Sequence, residues 1–197
     1  VLLIFRPFQR NFQLEDFVVA ADAIKNPDCA HELLARFANT ADSSVLALIV
    51  AHVNCPVAVL VRQLENPINQ LVLTAACLNP SAPQDKILLH LDELDWATKL
   101  RIAKNSTHPK VQEKLAMLKN QFIDFELALR EPLDARVLDI LSSTENLSAK
   151  LELAKNTNIS VFAQKNILHN SNRAIQLALA KNKTIDKSLF KVLPNEE

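Results

Sequence analysis

Lys104, Arg130, Lys155 and Lys181 recur at intervals of 26, 25 and 26 residues, and Lys25 holds the same place earlier in the chain. Each stands directly before a short polar stretch that reads as a chain reversal. Cations at a fixed repeat position form a line of positive charge, which could track an acidic peptide or a phosphate backbone. The same residues also suit the last turn of a helix, where an exposed cation complements the helix dipole by ~0.3–1 kcal/mol. One Trp and no Tyr offer little for base stacking, so dipole complementation is the expected role and a binding track the alternative.

Two other groups could do chemistry. Cys29-x-His31 and His52-x-x-Cys55 lie at equivalent places 26 residues apart, but zinc needs four ligands converging on a tetrahedron. Repeat-equivalent cysteines on packed helices stand ~10 Å apart. The same column continues as Ala82, His108, Asp134, Ile159 and Ile185, which reads as a half-buried packing slot. No metal is expected there. Trp96 follows the acids Asp92, Glu93 and Asp95. It could anchor an interface, but is expected to staple the start of a helix whose positive end the acids favour.

The chain contains no glycine, although tight turns and phosphate loops rely on it. Walker loops, dinucleotide fingerprints and nucleophile elbows are thereby excluded. The histidines at 31, 52, 90, 108 and 169 show no recurring spacing to a nucleophile or carboxylate. No catalytic residue and no cofactor is expected; a buried carboxylate of raised pKa in a concave pocket would reopen the question of an enzyme.

Net charge is zero, yet residues 1–98 carry −5 and residues 99–197 carry +5. An asymmetry of this kind can steer a partner. Three cysteines, an odd number, fit a reducing compartment better than a disulfide framework, so a cytoplasmic location is expected. No apolar stretch approaches the ~18 residues of a membrane span. The chain does not begin with Met and reads as processed or as part of something longer, while Leu193-Pro194 and the acids Glu196 and Glu197 read as an end.

The elements that would position these residues emerge from a repeat. Ala23-Ile24-Lys25-Asn26-Pro27, Ala76-Cys77-Leu78-Asn79-Pro80, Ile102-Ala103-Lys104-Asn105-Ser106, Leu153-Ala154-Lys155-Asn156-Thr157 and Leu179-Ala180-Lys181-Asn182-Lys183 align. His52 and Glu131 interpolate the asparagine column. A second column runs through Phe37, Leu64, Leu91, Leu118, Leu141, Leu168 and Leu193, with Asn39, Asn66, Glu93, Asn120, Ser143, Asn170 and Asn195 two residues on. Apolar spacing between the columns is helical, so each unit is a short helix A, a corner and a longer helix B. Helices commonly end on a left-handed residue, Gly or else Asn, and the corner asparagines are expected to fill that role.

These residues resemble the leucine-rich repeat variant family and, more loosely, Armadillo/HEAT-like helix pairs. The first resemblance implies an all-α, right-handed superhelical solenoid in which a short helix of 3₁₀ character alternates with an α-helix. About seven units of roughly 26 residues are expected in a single domain 1–197, at 17–42, 43–69, 70–95, 96–121, 122–146, 147–171 and 172–197, after a partial unit 1–16. The functional expectation is a non-catalytic scaffold for a protein or peptide partner, with no membrane association. Its helix B face varies between units, as in His31/Glu32/Arg36, Val57/Val61/Arg62, Lys110/Glu113/Lys114 and Gln164/Lys165. Nucleic-acid binding through the basic second half is the alternative.

Overall fold

The computed structural model describes residues 24–39, 42–169 and 171–192. The partial unit 1–16, the start of the first repeat, Asn170 and residues 193–197 lie outside them. The described residues form twelve α-helices and one 3₁₀ helix, with no strand. They fall into two compact units, divided between Pro83 and Gln84.

The first unit holds α1 (His31–Phe37), α2 (Ser43–Ala51), α3 (Val57–Glu65) and α4 (Gln70–Cys77). The second holds α5 (Gln84–His90), α6 (Trp96–Asn105), α7 (Pro109–Ala116), α8 (Gln121–Ala128), α9 (Ala135–Leu141), α10 (Leu147–Lys155), α11 (Val161–Leu168), α12 (Arg173–Lys181) and the 3₁₀ helix Lys187–Val192. Even-numbered helices are the A helices of the sequence reading and odd-numbered ones the B helices. In the second unit α6, α8, α10 and α12 pack each on the next, and α5, α7, α9 and α11 do likewise. In the first unit α2 packs on α4, with α3 also against α4. The A helices are α-helical, not 3₁₀ as the resemblance implied.

Helices of seven to ten residues are too short to persist alone in water, so packing and end-capping must hold them. Ile102, Ile123, Leu127, Leu153 and Leu179 of the A helices are buried, as are Val111, Leu115, Val137, Leu138 and Ile167 of the B helices. Leu118 of the second column is exposed instead, and Leu115 takes the core position. Gln164, expected on a variable outer face, is buried too: its amide donates to Ile159 O and Thr184 O and accepts from the Asp186 N–H.

Every even helix opens on an acidic or amide N-cap: Asp42, Asn69, Asp95, Asn120, Asn146 and Asn172 each accept from a backbone N–H two or three residues on. Such a cap stabilises by about 1 kcal/mol over alanine. These residues lie 25 to 27 apart and form a regular polar column.

The corner asparagines are not left-handed. His52, Asn156 and Asn182 lie at φ −71°, −67° and −69° with ψ near 130°, and the one positive φ among the described residues belongs to Lys119 (50°). The side chain does the work instead. Asn26, Asn79, Asn156 and Asn182 each accept, through Oδ1, the N–H two residues on, at 2.8–3.0 Å. His52 does so through Nδ1 and Ser106 through Oγ, so Ser106 and not Asn105 occupies the fourth corner position.

The other end of the same side chain reaches the preceding corner. Asn79 Nδ2 donates to Val50 O (2.7 Å) and His52 O (2.9 Å), and Asn182 Nδ2 to Ala154 O (2.9 Å) and Asn156 O (2.8 Å). His52, with Nδ1 accepting, must carry its proton on Nε2, which meets Asn26 O at 2.9 Å. At the fifth corner Arg130, not Glu131, supplies the donor, to Lys104 O. Glycine could turn the chain but could not satisfy these carbonyls. Asn182→Gly is therefore expected to destabilise the fold as much as Asn182→Ala, by about 1–3 kcal/mol each. Urea unfolding of both variants checks this, and a stable glycine variant would restore the left-handed reading.

Candidate functional site

The basic column resolves into unequal parts. Arg130 Nη1 is committed to the Lys104 carbonyl, so these two residues meet at neighbouring corners. Asn182 joins its corner to that of Asn156, which brings Lys155 and Lys181 to adjacent corners. Lys155 Nζ pairs with Glu152 Oε1 at 2.7 Å within its own helix. Lys104 and Lys181 are exposed. Lys25 is exposed in the first unit.

Cys29, Cys55 and Cys77 are free, buried thiols. Burial pushes Cys29 upward and both Cys55 and Cys77 up to about 12, which leaves almost no thiolate at neutral pH. His52 is occupied by the corner bonds. No cluster of three or more His, Cys, Asp or Glu side chains is placed to hold a metal among the described residues.

Trp96 is the first residue of α6, directly after its cap Asp95. It remains 42% exposed and meets the ring of Phe122, 59% exposed, edge-on at 6.1 Å between centroids. Leu147 holds the corresponding place at the start of α10 and is 47% exposed. Since α6, α8 and α10 pack in succession, their first turns present apolar side chains at one end of the A layer.

A polar cleft of about 690 Å³ opens beside the starts of α8 and α10, lined among others by Lys119, Asn120, Asp124, Ser143, Thr144 and Glu145. Asp124 lies within α8 and is 4% exposed. Its Oδ2 accepts from Thr144 Oγ1 at 2.6 Å, while Oδ1 is buried without a partner. Desolvation raises its pKa above the ordinary carboxylate range, against the opposing bond from Thr144. The sequence reading passed over this residue. The signal was present: four residues beyond the caps stand Leu46 and Leu73 in α2 and α4 but Asp124 in α8 and Lys150 in α10, so a core column turns polar. Lys150 Nζ is likewise drawn to a neighbouring turn, donating to His169 O at 3.1 Å.

One buried carboxyl with one hydroxyl partner can bind a donor or hold a proton. No protein-family model, no curated protein and no solved structure matches the chain.

The raised pKa of Asp124 has a stability consequence. Ionising it in the folded chain is unfavourable, so its penalty is present at neutral pH and vanishes once the group is protonated in both states, below about pH 4. Asp124→Asn is therefore expected to be more stable than the parent at pH 7. The gain should shrink toward zero as pH falls through 4. Thermal unfolding across pH 3–8 measures it, and a gain that grows on acidification would contradict the assignment.

Proposed function

We propose that the chain is a non-catalytic helical-repeat scaffold that binds a protein or peptide partner. On this reading its repeats form a right-handed superhelical solenoid of the leucine-rich repeat variant or Armadillo/HEAT-like type. The regular corner bonds in both units, with even helices packed on even ones in both and odd on odd in the second, support the repeat.

The observation that carries the binding role is the exposed apolar row Trp96, Phe122 and Leu147 on successive A helices. Large aromatic side chains held on rigid helices lose little entropy on binding and are common energetic centres of interfaces. The basic column gives weaker support to nucleic-acid binding. Of its four cations in the second unit, Arg130 serves the backbone and Lys155 an ion pair, which leaves a thin positive line against the several phosphate contacts such binding uses. No helix among the described residues is long and apolar enough to cross a membrane.

Affinity capture from a lysate of the source organism, with and without nuclease, tests the proposal. A discrete protein partner is expected to survive nuclease. Its affinity should fall roughly tenfold or more in Trp96→Ala/Phe122→Ala and change little in Lys104→Glu/Lys155→Glu/Lys181→Glu. Loss of every partner after nuclease, with salt-sensitive binding abolished by the triple charge reversal, would replace this function with nucleic-acid binding.

A further inference from the structure

The buried oxygen of Asp124 points to a ligand independently of whether the chain is a scaffold. A carboxylate offers about four lone-pair directions, and a buried acceptor left unfilled is unfavourable. Thr144 fills one side of the group, and the other, Oδ1, has no protein donor. The cleft that Asp124 lines is, at about 690 Å³, within the usual range for small-ligand sites.

The charge and hydrogen-bonding inventory of the lining selects the ligand. Asp124 and exposed Glu145 bring two carboxylates against the single ammonium of exposed Lys119. The starts of α8 and α10 could in principle attract an anion. Here the Asn120 side chain already accepts from Phe122 N, and Asn146 Oδ1 from Ser148 N and Ala149 N. Capped amides beside a buried carboxylate do not suit an anion. A hard metal ion takes about six oxygens in a tight shell, and the two carboxylates here differ in depth, one buried and one exposed. What remains is a cation that carries several N–H donors on an organic body. Ser143 Oγ, which donates to Ile140 O, keeps lone pairs to accept from it.

We propose that this cleft binds a primary ammonium or guanidinium group, with the Asp124 carboxylate as its buried counter-charge and Glu145 as a second carboxylate at the rim. The group can arrive on the side chain of a partner's lysine or arginine or on a free amine, and the two sources share this chemistry.

Amide-resolved NMR titration of the whole chain tests it. Agmatine and butylammonium serve as free amines, N-acetylarginine amide as a side chain within a peptide, and butanol and inorganic phosphate as neutral and anionic controls. Saturable shifts are expected at residues 119–124 and 143–146 with the cations, none with butanol or phosphate, and affinity weaker by roughly tenfold or more in Asp124→Asn. Lys181→Ala, remote in sequence from the cleft, should bind as the parent does. Preference for N-acetylarginine amide assigns the source to a peptide side chain, and preference for agmatine or butylammonium to a free amine; both support the site. Equal binding by Asp124→Asn, shifts elsewhere only, or binding of phosphate instead would overturn it. The asparagine variant is the safe one to use, because it keeps the side-chain volume and loses a buried charge.

Discussion

At each of six corners in the described chain a side chain accepts the backbone N–H two residues on, and at four corners a side chain donates back to the carbonyls of the corner before. These corner bonds, two-ended at His52, Asn79 and Asn182, are what the rest of the structure depends on. A corner between two short helices leaves carbonyls of the last turn without partners. The helices stack closely enough to bury them, so water cannot satisfy them all. An amide is suited to the task because it carries an acceptor and two donors on one short arm. Histidine achieves the same at residue 52 through two ring nitrogens, and Arg130 supplies only the donor half at its corner.

The same economy of polar groups explains how a chain without glycine folds into so many turns. Extended backbone at His52, Asn156 and Asn182 needs no relief from a Cβ clash, and asparagine or aspartate caps restart the helices. Corner, cap and apolar stripe recur together, so local preference and packing agree from unit to unit. Where one member of the set is replaced, a neighbour takes over its bond, as Arg130 does for the Lys104 carbonyl.

Departures from that regularity mark the functional candidates. The first turns of α6 and α8 carry the aromatic rings of Trp96 and Phe122 outward, where the first turn of α2 has Ser43 and Ser44 and that of α4 Gln70 and Leu71. Asp124 places a carboxyl in a column that is leucine in α2 and α4, and the turn carrying Thr144 answers only one of its oxygens. Neither feature serves the corner bonds. The basic column, by contrast, is partly absorbed by them.

The all-helical class and the places where the chain reverses were legible in the residues themselves, because helical spacing of apolar groups and recurring Asn and Pro are local properties. His52 could be set in the asparagine column by interpolation alone. What the corner asparagines do was not legible, since a left-handed turn and an extended turn with a bridging amide use the same residue. Only the approach of one corner to the next, 26 or 27 residues away, decides between them. Ser106 displaced Asn105, and Leu115 displaced Leu118, for the same reason: stacking fixes which residue faces the neighbouring unit. The burial of Asp124 against Thr144, twenty residues apart, likewise exists only in the packed chain, because desolvation is a property of surroundings that the sequence does not list side by side.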